Sequence, residues 1–142
     1  MAAGMQTWSE IAVGNKRAAQ RLSSSQEFSA AQRLRAAGYY RSSVSRSYYA
    51  AFSAATDVLL KSGAVFPAGY ECPPHRDVPV LLERHMGQLG RRRLSEVKSA
   101  VRRLYSARLE ADYRERTRID EAIARNALRD ACTVLRELGV PE

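Results

Sequence analysis

Apolar residues recur along this chain at steps of three and four and rarely alternate, the spacing of one face of an α-helix rather than of a strand. The clearest run lies between about Tyr40 and Ser62. There Val44, Tyr48, Ala51, Ala55 and Val58 make one stripe, widened by Phe52 and Leu59 and closed by Lys61 and Gly63. A second run, from about Arg91 to Tyr113, carries Leu94, Val97, Val101 and Leu104. The next members of that stripe are Arg108 and Ala111, so Arg108 stands where an apolar residue is expected. A last helix buries Ile123, Ala127, Ala131, Val134 and Leu138; Thr117 or Asp120 can cap it, and Gly139 and Pro141 end it.

The remaining elements are marked by their ends. Thr7 with Glu10 is a capping box, opening a helix through Ile11, Ala18 and Leu22. Ser24 with Glu27 is a second one, so this segment either breaks there or continues to Ala37, with Gly38 as a natural stop. Residues 63–79 hold four of the five prolines and two of the eight glycines and read as a loop. A short helix from about Pro79 to Gln88 follows, with Gly87 and Gly90 at its end. The expected fold is all-α: an antiparallel bundle of four main helices plus a short one. A single domain over residues 1–142 is expected, with a core at about 28–138 on which the helix 7–22 packs.

Composition narrows the chemistry. A chain of 142 residues can bury its own core. It has no run of 18 apolar residues, so no membrane span is expected. The two cysteines, Cys72 and Cys132, are too few for a disulfide framework, and the N-terminus does not read as a secretory signal, so a reduced, cytoplasmic protein is expected. The net charge of +8 suggests an anionic partner. Between Arg91 and Arg118 stand ten basic and four acidic residues, so this segment carries +6 of the total. Such a run is ordinarily a solvated helix face; otherwise it contacts RNA through the phosphate backbone. Gly-rich phosphate loops, Gly-x-Ser-x-Gly and His-Glu-x-x-His are missing from the sequence. Cys72, His75 and His85 offer three soft ligands, not four in paired clusters, so neither metal nor cofactor is expected.

What stands out is a polar set on two helices. Arg46 interrupts an apolar helix just before Tyr48 and Tyr49, and Arg108 and Asp112 stand at i and i+4. A guanidinium on a buried stripe needs a partner. For Arg108 the candidates are Asp112, Asp57 or a tyrosine hydroxyl; for Arg46 the natural one is Asp112. The set is either a polar buttress fixing two helices or a groove that binds a phosphate, nucleotide or RNA. The binding candidates are Arg46, Tyr49, Arg108, Asp112 and Tyr113, with His75 as a loop or capping residue that could join them.

These residues carry a family resemblance. The stretch "YYRSSVSRSYYAAFSAATDVLLKSG" resembles the second helix of HEPN domains, with its Arg-x-Tyr-Tyr-Ala core. The stretch "LYSARLEADYRERTRIDEAIARNALRDACTVL" resembles their second half: an Arg-x-x-x-Asp-Tyr segment, then a helix with an acidic cap. His75 sits where many members carry a histidine, and the likeness spans roughly residues 28–138. It implies a four- or five-helix bundle, often a homodimer, encoded beside a minimal nucleotidyltransferase in prokaryotic toxin–antitoxin modules or within defence systems. Many members are metal-independent RNases with an arginine followed four to six residues later by histidine. Here no such pair exists; the matching position reads Arg108-Leu-Glu-Ala-Asp112-Tyr113, and an ionised aspartate cannot cycle protons near pH 7. In related pairs a tyrosine near this motif is nucleotidylated by the partner, and Tyr113 is the nearest match. The resemblance therefore implies a non-catalytic interaction module that binds a nucleotidyltransferase and a nucleotide or RNA. The alternatives are a divergent endoribonuclease using Arg46, Arg108, His75 or Tyr113, and a generic basic RNA-binding bundle.

Overall fold

In the computed structural model the described residues are 6–23 and 30–140; for residues 22, 23 and 30–37 only the backbone is described. They form helices α1 (Trp8–Ser23), α2 (Ala30–Lys61), α3 (Val78–His85), α4 (Arg91–Tyr113) and α5 (Glu121–Glu137). Single 3₁₀ turns at His75–Asp77 and Gly87–Leu89 flank α3. The fold is all-α, as the apolar periodicity requires. The helix α1 opens with the expected capping box: Glu10 N donates to Thr7 Oγ1 at 3.1 Å, and Thr7 N donates to Glu10 Oε2 at 3.0 Å. The second box, at Ser24 and Glu27, lies outside the described residues.

The centre of the bundle is α2, which packs against α1, α4 and α5. The expected stripe is buried at Val44, Tyr48, Ala51 and Ala55, with Val58 half-buried. A second stripe of small residues, Ser43, Ser47, Ala50 and Ala54, is buried as well. Small side chains let a neighbouring backbone come close, and Ser43 Oγ donates to Ala19 O of α1 at 2.9 Å. Gly38 does not stop this helix. A terminating glycine takes a left-handed φ, whereas Gly38 keeps an ordinary helical one and α2 begins eight residues earlier, at Ala30. An interior glycine costs roughly 1 kcal/mol relative to alanine, which the burial of both faces of α2 offsets.

The helix α4 spans the residues its stripe marks out, with Leu94, Val97, Val101, Leu104, Arg108 and Ala111 all buried. Of the two caps considered for α5, Asp120 takes the role: its Oδ1 accepts from Ile123 N at 2.9 Å. Thr117 instead donates its hydroxyl to Glu110 Oε2 at 2.7 Å. The end of α5 turns through Gly139 at φ 71°, where Val140 N returns to Leu135 O at 2.9 Å. Among the described residues no helix is long and apolar enough to cross a membrane.

Candidate functional site

The site is built where α2 and α4 run side by side. The stripe of α4 carries the guanidinium of Arg108 into the seam, leaving the residue 9% exposed. There its Nε donates to Asp112 Oδ2 at 3.1 Å, and Nη2 donates to the hydroxyls of Tyr49 at 3.0 Å and Tyr113 at 3.3 Å. The guanidinium carbon also stands 5.5, 5.4 and 5.3 Å from the ring centres of Tyr48, Tyr49 and Tyr113, within cation–π range. Burial works against the charge, but Tyr49, Tyr113 and Asp112 more than offset it and hold the pKa of Arg108 above its ordinary value. Nη1 makes no hydrogen bond to a described residue and is not fully buried. The fork is thus fixed at two nitrogens, and the third is unbonded among the described residues. Ser45 Oγ adds a long contact to Asp112 Oδ2, 3.4 Å, from the α2 side.

His75 enters from the loop. Its ring stacks on Phe52 at 4.4 Å between centres, and its Nδ1 lies 2.6 Å from the Tyr48 hydroxyl. Burial pushes the Tyr48 hydroxyl well above its ordinary pKa, against the opposing pull of Arg108. Burial, then the charge of Arg108, holds His75 below the usual histidine range. The Tyr48 hydroxyl and His75 Nδ1 share this bond, and the imidazole tautomer sets which of them donates.

Of the residues read from the sequence, Tyr49, Arg108, Asp112 and Tyr113 form one cluster, and His75 joins it through Tyr48. Two do not join. Arg46 does not pair with Asp112; it is exposed toward α1, where Nη1 donates to Asn15 Oδ1 at 3.2 Å. It lies a turn before Tyr49 and about 60° round the helix, and Asp112 is already bonded to Arg108. Asp57 pairs with Lys61 at 2.9 Å, about 12 Å along α2 from Tyr49 and so away from Arg108.

One residue was missed. Arg41, on α2, directs Nη1 to the carbonyls of Glu110 (3.3 Å), Ala111 (2.9 Å) and Arg114 (3.2 Å), and Nη2 to those of Glu115 (3.0 Å) and Thr117. A cation on the open carbonyls of a helix C-terminus meets the negative end of the helix dipole. Here it fixes the turn that follows Tyr113. The sequence signal was its step of four from Ser45, which puts it on the α4 side of α2, but only the antiparallel register reveals the carbonyls opposite. Among the described residues no three of His, Cys, Asp and Glu gather as metal ligands.

An all-helical bundle with an arginine clasped by tyrosines at the seam of α2 and α4 is the architecture that the Arg-x-Tyr-Tyr-Ala and Arg-x-x-x-Asp-Tyr segments build. Residues 20–140 match the HEPN domain family, and the chain belongs to it. Compared with curated proteins, the chain has no match.

Proposed function

We propose that this HEPN domain is a non-catalytic interaction module that binds a nucleotide or RNA phosphate at Arg108, in a homodimer that engages a minimal nucleotidyltransferase within a toxin–antitoxin or defence system. The observation that carries the ligand class is the pre-set fork of Arg108: its plane is fixed by Asp112, Tyr49 and Tyr113, and Nη1 is left for an anion. Tyr113, 67% exposed beside it, offers a ring to a base. The engagement of His75 supports the non-catalytic side, because its Nδ1 is held at 2.6 Å by the Tyr48 hydroxyl within the fold. The nucleotidyltransferase and the homodimer rest on family membership alone.

Calorimetric titration with AMP tests the ligand site: binding that Arg108→Ala abolishes and Arg46→Ala leaves intact is expected. Binding indifferent to Arg108→Ala sinks the site. A second reading, a divergent metal-independent endoribonuclease, is favoured by one observation: the loop brings a histidine to the Arg108 cluster although no Arg–His spacing exists in the sequence. RNA cleavage by the purified protein without metal, abolished by both Arg108→Ala and His75→Gln, would establish it in place of the first.

A further inference from the structure

A groove of about 280 Å³ runs between α3 and α4, away from the Arg108 cluster, lined by Pro79, Val80, Glu83, Arg84, Lys98 and Arg102. Its charges are unequal: three cations against one carboxylate, giving +2, and Glu83 is already bonded to Lys98 Nζ at 2.6 Å. Arg84 and Arg102 are exposed and make no ion pair with a described residue. The floor is apolar, with Val80 58% exposed beside Pro79. Two guanidinium forks without an ion pair, beside the exposed side chain of Val80, match a chain that alternates phosphate with sugar and base, more closely than they match a run of carboxylates.

The groove also points at the site already described. The chain turns from α3 into α4 through the short 3₁₀ turn at Gly87–Leu89, and the Glu83–Lys98 bond sets the register between the two helices. Arg102 therefore lies beside the start of α3, and the 3₁₀ turn bearing His75 leads directly into that start. From Arg102 to Arg108 is six residues of α4, about 9 Å along its axis. Tyr105 stands halfway, its ring 5.9 Å from that of Tyr48. At 100° per residue Arg108 also lies about 120° round α4 from Arg102, with Tyr105 midway, so a strand leaving the groove must wrap partly round α4 to reach Arg108.

We infer that the α3–α4 groove, through Arg84 and Arg102, holds the phosphodiester backbone of a single-stranded nucleic acid, a later phosphate of which is held at Arg108. The inference rests on the Arg108 reading for the destination of the strand, not for the groove itself. The test is fluorescence anisotropy of short labelled oligouridylate and oligothymidylate over a range of salt, with AMP titration in parallel. The double variant Arg84→Ala/Arg102→Ala is expected to lose roughly ten-fold in affinity for both oligomers. Its log–log salt slope should fall by about 1.4, at ~0.7 for each phosphate no longer neutralised. AMP binding and the melting temperature should stay as in the wild type, and Arg84→Lys/Arg102→Lys should keep the slope. Unchanged oligomer affinity and slope in the alanine variant overturn the groove while leaving the Arg108 site to its own AMP test. Loss of oligomer binding with no AMP binding in any variant retains the groove and sinks the Arg108 reading. Loss confined to one of the two oligomers overturns a backbone site. Polyglutamate binding with the same affinity, slope and sensitivity overturns the assignment to nucleic acid.

Discussion

At the scale of single residues, Arg108 decides most. It stood out in sequence as a charge at an apolar position, and its solution is now visible: one carboxylate, two phenols and three ring faces. Arg108→Ala should lower stability by about 1–3 kcal/mol, because it leaves Asp112 and two hydroxyls short of a donor. Urea denaturation should show this as a lower midpoint at unchanged m. Arg108→Lys should recover only part, since an ammonium cannot serve Asp112 and both tyrosines from one plane. His75 gives a pH dependence. Its folded pKa lies below the ordinary value of about 6.5, so on acidification the unfolded chain takes up the proton first. Its contribution to stability is complete above about pH 6.5 and is lost as pH falls toward its folded pKa. Melting temperatures between pH 7.5 and 5.5 should fall for the wild type and fall less for His75→Gln. The groups facing it there are Tyr48, Tyr49, Phe52 and Arg108. The cluster was readable wherever a charge interrupted a stripe. Arg46 misled because it too breaks an apolar helix, but on the side that α1 only partly covers, where one amide suffices.

At the scale of elements, the bounds of α4 could be read from sequence because its stripe is clean, whereas the cap of α5 narrows only to Thr117 or Asp120, and the bond of Thr117 to Glu110 leaves the role to Asp120. The start of α2 could not be read. Gly38 looks like a stop to local chemistry, yet two buried stripes hold the helix on either side of any single unfavourable residue. That makes Gly38 improvable. A Cβ there would meet nothing within 4 Å, and the backbone is already helical. Gly38→Ala should therefore stabilise by about 0.5–1 kcal/mol, read as a higher melting temperature with ligand binding unchanged. A drop would mean that the helix needs to bend there.

At the scale of the molecule, the basic segment 91–118 is less free than its charge suggests. Six of its ten basic residues lie within 4 Å of a carboxylate, three of those carboxylates supplied by Glu83, Asp130 and Glu137 from outside it. Sequence counting cannot see such pairing, which depends on which helices meet. Most of these pairs are exposed and worth about 0–1 kcal/mol each, so salt should move the melting temperature little while weakening any polyanion complex steeply. Arg41 ties this segment to distant chain: its donors reach carbonyls 69–76 residues away, across the exposed run that holds Arg114, Arg116 and Arg118. Three arginines in one inter-helix connection are an invitation to trypsin, and a protease must pull an extended stretch of backbone into its cleft before it can cut. With its carbonyls held by Arg41, this stretch cannot be drawn out without first releasing α2. Limited digestion should therefore spare the junction in the wild type and, in Arg41→Ala, nick it first, giving one fragment ending with α4 and another beginning near α5. Equal rates in the two proteins would show that the connection is guarded by something else.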